Sequence, residues 1–236
     1  MASVASLNSR IFVGSLAWSQ FTRSKNLSMD TAMLDTTTIN DADMQYIPGQ
    51  NSGTVALDML LDNSGAAGSQ FITLNSWKAA TQVVTLCFEG TTRGLPVWQI
   101  VADQGNFTVN SAATDVVSVS GSYNTDGVVG YGVVIDPLTA ITVDTNGTSV
   151  DNGAATSAGG IAHLHVTAFS GLTSNSVIVE HSTDNAAWST LGTFTLATGL
   201  TSERITVAGT VNRYLRVRDD VTGTGSTTRF VAFARN

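Results

Sequence analysis

Cysteine, proline and charge are all scarce in this chain of 236 residues. The single cysteine, Cys87, rules out an internal disulfide framework. It sits in the apolar run Val83-Val84-Thr85-Leu86-Cys87-Phe88, where a buried, inert thiol is expected. Three prolines against 22 glycines argue for many tight turns and against a proline-rich spacer. Charged residues make up 12%, about half the share of an average soluble protein. No apolar run approaches the length of a membrane span. Residues 1–20 lack a basic start followed by a sustained apolar core, so no secretory leader is expected.

Chemical motifs are equally scarce. There is no G-x-S-x-G elbow, no phosphate-binding Walker loop and no G-x-G-x-x-G opening a helix. Cys87 lies far in sequence from His163, His165 and His181, which all fall in the second half. No catalytic residue and no cofactor is therefore expected, and the chain reads as a non-enzyme.

What is present points to association. A surface poor in charge and rich in Thr, Ser, Ala and Gly suits coverage by neighbouring subunits. The net charge of −7 is also unevenly spread. Up to Val150 there are five basic and twelve acidic residues, whereas the remainder carries six of each. Such asymmetry marks a domain-level difference. An acidic module cannot displace counterions as tight nucleic-acid binders do. It is compatible with a surface along which DNA slides without sticking.

Almost all of the chain reads as short strands. Runs of Val, Thr, Ile and aromatic residues at 82–88, 95–102, 116–120 and 127–135 are bounded by turn signals such as Asp126-Gly127. One helix is expected over 68–81, where Phe71, Leu74 and Trp77-Lys78 recur at helical spacing, although Ile72-Thr73-Leu74 also suits a strand. Residues 21–52 show no clean period and read as a long loop. Met29, Met33, Leu34, Ile39, Met44, Tyr46 and Ile47 make it too apolar for a solvated loop, so it is expected to become ordered on a partner.

Residues 144–160 are rich in small and turn-forming residues, including Asn146-Gly147 and Asn152-Gly153, and read as a linker with a boundary near Asp151. Strands then resume at 161–170, 176–182, 188–197, 203–209, 212–219 and 227–234, the pattern of a small sandwich. In the first of these, Ala162, Leu164, Val166 and Ala168 are expected on one face. His163, His165, Thr167 and Phe169 fall on the other.

Four constellations could carry chemistry. His163 and His165 share a face and could begin a metal site, but no further ligand stands at a convincing spacing. Ordinary histidines are the favoured reading, and no metal is expected. Asp41/Asp43 and Asp219/Asp220 lack the Gly and Glu of a calcium loop and read as solvated charge. Trp188, Tyr214, Phe230 and Phe233 could stack on a sugar, but core packing is favoured. Tyr214, Arg216 and Arg218 share a strand face and form a short basic row.

The run DTTTINDADMQYIPGQNSGTVALDMLLD at 35–62 resembles the signature region of the major tail (tube) proteins of long-tailed bacteriophages. Asp35-Thr36-Thr37-Thr38, Tyr46, Pro48-Gly49, Gly53 and Leu60-Leu61-Asp62 carry the match. EGTTRGLPVWQIVAD at 89–103 and SVSGSYNTDGVVGYGVVI at 118–135 extend it, so that it reaches from the N-terminus to around Thr145. Two departures are Ile39 at a position where an aromatic is common, and Met59-Leu60-Leu61 in place of an aromatic pair.

The resemblance implies an all-β fold, an antiparallel sandwich or partial barrel with one flanking helix, over residues 1–150. It also implies a virion protein assembled in the bacterial host cytoplasm, not a membrane protein. Copies close into hexameric rings whose inner strands join in a continuous barrel, and the rings stack through a long loop at 21–52. The lumen conducts DNA without binding it specifically, and the tape measure and other tail proteins are partners. Ile39, Met44, Tyr46 and Pro48 become the expected inter-ring contacts. The segment VIVEHSTDNAAW at 177–188 resembles the small sandwich domains appended to phage tail and coat proteins. Residues 151–236 are accordingly expected to be a second, decorating β-sandwich. The alternative reading is a carbohydrate-binding tail or capsid decoration module.

Overall fold

The computed structural model describes residues 8–62 and 80–236. Every named element among them is a strand, and the fold is all-β, antiparallel and sandwich-like. The helix expected over 68–81 lies outside the described residues, apart from Ala80 and Thr81 at its end. Thr81 instead opens a strand.

The chain divides into two compact units. Unit one comprises Met1–Gln20, Gln82–Val101 and Gly127–Asn236; unit two comprises Phe21–Thr81 and Ala102–Asp126. The boundary expected at 150/151 thus falls inside unit one. The division also sharpens the charge asymmetry. Unit two carries nine acidic and three basic residues, net −6, while unit one carries nine and eight, net −1.

Unit one is a sandwich built on two very long strands, β11 (Gly160–Ser182) and β14 (Tyr214–Arg235), which pair along nearly their whole length. The sequence suggested four shorter strands here. The ladder instead turns a corner through register shifts at Val166/Ala168, Ser170/Leu172 and Leu172/Ser174. Gly171 makes the corner possible. Its φ is +75°, and a Cβ there would lie 2.6 Å from the Thr224 carbonyl oxygen.

Beyond the corner, β14 pairs with the short strands β9 (Thr145–Asn146) and β10 (Val150–Asp151), and β11 with β12 (Ser189–Thr193). Before it, β11 also pairs with β13 (Thr201–Val207), and β14 with β8 (Gly130–Ile141). The sheet then continues through the start of β6 (Pro96–Asn110), β5 (Thr81–Cys87), β1 (Arg10–Val13) and β2 (Leu16–Ala17).

One core lies between the two halves, with Ala162, Leu164, Val166, Val231 and Phe233 facing Val177, Val179, Leu215 and Val217. A second core packs Phe12, Cys87, Val97, Val134, Phe230 and Ala232. Both faces of β11 are therefore buried, and its alternation separates two interiors. The shift at Val166/Ala168 swaps the faces, so Phe169 packs with the first core while Ala168 is exposed.

Unit two is a four-stranded antiparallel sheet in the order β3 (Thr22–Asp35), β4 (Tyr46–Leu60), β7 (Ser118–Thr125) and the distal part of β6. The region expected as a long loop at 21–52 is in fact a hairpin, with its tip at 36–45. Its period was not legible because a ribbon exposed on both faces has no core to impose alternation.

Candidate assembly surface

The sheet of unit two has two contrasting faces. Cross-strand pairs Val55↔Tyr123, Leu57↔Gly121 and Met59↔Val119 define one of them, and these side chains are buried. The opposite face is built mainly from short polar groups: Ser24, Asn26 and Ser28 on β3, Thr54 on β4, and Ser118, Ser120, Ser122 and Asn124 on β7, with Ala56 and the exposed Leu60 of β4 among them. Asn106, Thr108 and Asn110 of β6 complete it. Cross-strand hydrogen bonds lock this carpet. Thr54 Oγ1 donates to Asn124 Oδ1 (3.4 Å) and Ser122 Oγ to Asn106 Oδ1 (2.9 Å). Its charged members are Asp30, Asp58 and Asp103, and none of its paired positions carries Lys or Arg.

The edges of this sheet are long. Among the described residues, β4 is the sole strand partner of β3, and β7 the strand partner of the end of β6. Long exposed edges invite pairing with another chain. Here they carry few of the usual guards, with Arg23 and Lys25 at one end of β3 only.

Beyond Thr31 the β3–β4 hairpin becomes an apolar arm. Met33, Pro48 and Tyr46 fall on one face, with Leu34 and Ile47 on the other. Of the four residues expected as inter-ring contacts, Ile39 at the tip is 100% exposed, Met44 66% and Tyr46 46%, and Pro48 is exposed as well. The fold thus gathers all four on the outer half of one hairpin. Tyr46 Oη lies 3.4 Å from Met44 Sδ, so these two already touch.

The tip is locally ordered. Asp41 accepts hydrogen bonds from Thr38 N (2.6 Å) and Thr38 Oγ1 (2.8 Å), and Asp35 from Thr37 N (2.8 Å). The Thr37 side chain and then its amide at Asp35, and the Thr38 amide and then its hydroxyl at Asp41, hold both carboxyl groups below their usual pKa. Asp41 is therefore a turn cap, and Asp43 is exposed beside it.

The other candidate chemistry lies in unit one and is used internally. His163 and His165 are fully buried, and both contact the Thr85 hydroxyl. His181 takes no part, since its Nδ1 accepts from Asn212 N (3.2 Å). Among the described residues, no group of three or more His, Cys, Asp or Glu is arranged to hold a metal ion.

Asp219, read from sequence as solvated, is fully buried. It accepts from Arg229 Nε (2.9 Å) and Asn175 Nδ2 (2.9 Å), and pairs with Arg229 Nη2. Arg229 also reaches Asp136 Oδ2 (2.7 Å), which in turn pairs with Arg93. Its neighbour Asp220 is on the surface, 3.1 Å from Arg218. Nothing in the sequence reading singled out Arg229. A lone arginine in the apolar run Arg229-Phe230-Val231-Ala232-Phe233 was the available signal.

The aromatic candidates do not form a sugar platform. Phe230 and Phe233 are core residues, and Arg216 lies 4.3 Å over the Trp188 ring. The basic row of Arg216 and Arg218 is neutralised by Glu180, at 2.7 and 3.7 Å, together with Asp220 beside Arg218.

No family model matches the sequence, and no curated protein matches it. Among solved structures, the chain is similar to a protein in the virion of a native gene transfer agent particle. That match has 9% identity and a TM-score of 0.44, and covers 55% of this chain and 98% of the other. It is also similar to a protein from the tail of an empty gene transfer agent particle, refined with C6 symmetry: 9% identity, TM-score 0.39, covering 47% and 81%. A third similarity is to the SPP1 Dit protein of the hub adsorption apparatus of phages that infect Gram-positive hosts: 10% identity, TM-score 0.40, covering 96% and 99%.

Proposed function

We propose that this chain is a structural subunit of a phage tail. Its copies close into hexameric rings, and the rings stack into a tube that conducts DNA. The observation that carries this reading is the sheet of unit two, which among the described residues has two long edges and one mostly polar face whose paired positions carry no Lys or Arg. Pairing β3 of one copy with the β6 edge of the next removes both edges at once. A closed ring of such sheets has one side lined by Ser, Thr and Asn hydroxyls and amides with Asp30, Asp58 and Asp103. That side repels phosphate and offers no lysine or arginine to hold it, so DNA passes without a high-affinity stop. The net −6 of unit two supports the same assignment.

The apolar arm supplies the contact between rings, through Ile39, Met44, Tyr46 and Pro48. A two-stranded ribbon is marginal by itself in water, and this one exposes apolar side chains on both faces. Packing against a second copy supplies the missing partner. No residue acts as a catalyst, and the other partners are further tail proteins, including a tape measure. The sequence resemblance over 35–62, 89–103 and 118–135 supports the same family.

Negative-stain imaging of the purified full chain tests the reading. Rings or stacked tubes are expected. Dispersed particles at all protein concentrations, combined with glycan binding, would overturn it in favour of a carbohydrate-binding decoration module.

A further inference from the structure

The interior of unit one holds a hydrogen-bond chain that, with neutral rings, admits a single arrangement of protons. The Gly14 carbonyl oxygen, in the turn between β1 and β2, lies 2.7 Å from His165 Nδ1. A carbonyl can only accept, so Nδ1 of His165 carries a hydrogen. In the neutral ring, His165 Nε2 is then a bare acceptor, 2.8 Å from Thr85 Oγ1. Thr85 donates its one hydrogen there. His163 Nδ1, 3.1 Å from the same oxygen, must therefore donate to it. His163 Nε2 is left bare, buried and without a hydrogen-bond partner. The chain runs His163 to Thr85 to His165 to Gly14, and with both rings neutral it closes only when each is the Nδ1–H tautomer.

The surroundings offer no relief for added positive charge. Phe12 stacks on His165 with ring centroids 5.3 Å apart. Phe230 and Ala232 face the two rings from β14, and Cys87 lies along from Thr85 in the same core. Opposite His165 on β13 stands Ser202, and opposite His163 stands Arg204, a second cation. The nearby Glu203 is opposite Leu164, on the other face, and accepts from Thr195 N (2.7 Å) and Thr195 Oγ1 (3.0 Å).

We propose that Gly14, Thr85, His163 and His165 form an acid-released latch, which ties the β1–β2 turn and β5 to β11 and opens when the imidazoles take up protons. Burial pushes the His163 pKa well below its ordinary value, with the charges of His165 and Arg204 adding to the effect. Burial likewise lowers His165 to about 4, against the opposing bond to Gly14. Both folded-state values lie below the unfolded value of 6.5. The folded form therefore binds fewer protons than the unfolded chain. The stability that the latch contributes is complete above pH 6.5 and is lost as pH falls from there towards 4. Each histidine raises the unfolding constant by about tenfold per pH unit in that window.

Two measurements on the full chain test this. The first compares urea unfolding between about pH 4.5 and 6 in the parent, His165→Gln, and the double variant His163→Gln/His165→Gln. Carboxylates contribute equally to all three, so differences isolate the latch. The single variant should lose about a tenfold change per pH unit, and the double about a hundredfold. Identical pH slopes in all three overturn the proposal. The second is nitrogen-15 imidazole spectroscopy of the parent, which does not depend on a variant folding. Two neutral Nδ1–H rings at pH 5.5 are expected. An Nε2–H tautomer or an imidazolium at either position overturns the latch.

Discussion

Arg229→Met is the sharpest test of what holds unit one together. The Arg229 side chain is fully buried, and its guanidinium engages two carboxylates at once. Burial works against its charge, but the hydrogen bonds and charge of Asp219, and then the charge of Asp136, outweigh it and raise its pKa. Methionine fills a similar volume without the charge. Asp219 would then keep only Asn175 Nδ2, at 2.9 Å, in a site closed to water. Asp136 would keep Arg93 and fares better. Removing one partner of a buried ion pair costs about 3–5 kcal/mol, mostly through the charge left behind. With a urea dependence of about 2 kcal/mol per molar, the midpoint should fall by roughly 2 M. Trp18, Trp98 and Trp188 all lie in unit one and report its unfolding by fluorescence. The double variant Arg229→Met/Asp219→Asn should recover more than about 1 kcal/mol, because it removes the stranded charge as well. A single-variant cost below about 1 kcal/mol, or a double variant no better than the sum of the singles, would refute the reasoning.

Three further outcomes are expected. Deleting Thr36 to Tyr46 should leave both units folded by circular dichroism but abolish tubes in negative stain; normal tubes would remove the arm from assembly. Replacing Asp30, Asp58 and Asp103 by Lys should leave ring formation intact while the tubes retain DNA in a filter assay. That retention should fall steeply with added salt, and DNA retention equal to the parent would separate this face from the conduit. Gly171→Ala should lower stability by more than about 1 kcal/mol, since alanine must adopt a positive φ and meet the Thr224 carbonyl; an unchanged melting curve would show that the corner can open by another route.

Much of the strand content was legible because buried alternation leaves a period-two record. Ala162, Leu164 and Val166 against His163 and His165 came out on opposite faces as read. The record failed at Phe169, where a single bulge inverts the faces without altering composition. It failed again over 21–52, where no core exists to write a pattern. The boundary expected near Asp151 falls inside unit one. Gly- and Asn-containing turns at 144–160 look like a linker, yet β8 before them pairs with β14, far beyond them in the chain.

The sequence by itself determined that the chain is β-rich, acidic, sparsely charged and devoid of recognisable catalytic motifs, because composition and short periods are local properties. It also supplied the apolar residues of the arm and the two same-face histidines. Only the tertiary structure decided that the acidity belongs to a discontinuous unit, that three of its nine acids, Asp30, Asp58 and Asp103, share one face, and that the arm is a hairpin. It alone joined Thr85 to His163 and His165, and Arg229 to Asp219 and Asp136. These pairings link strands that lie far apart in the chain or across a bend, and no local pattern encodes which strands become neighbours.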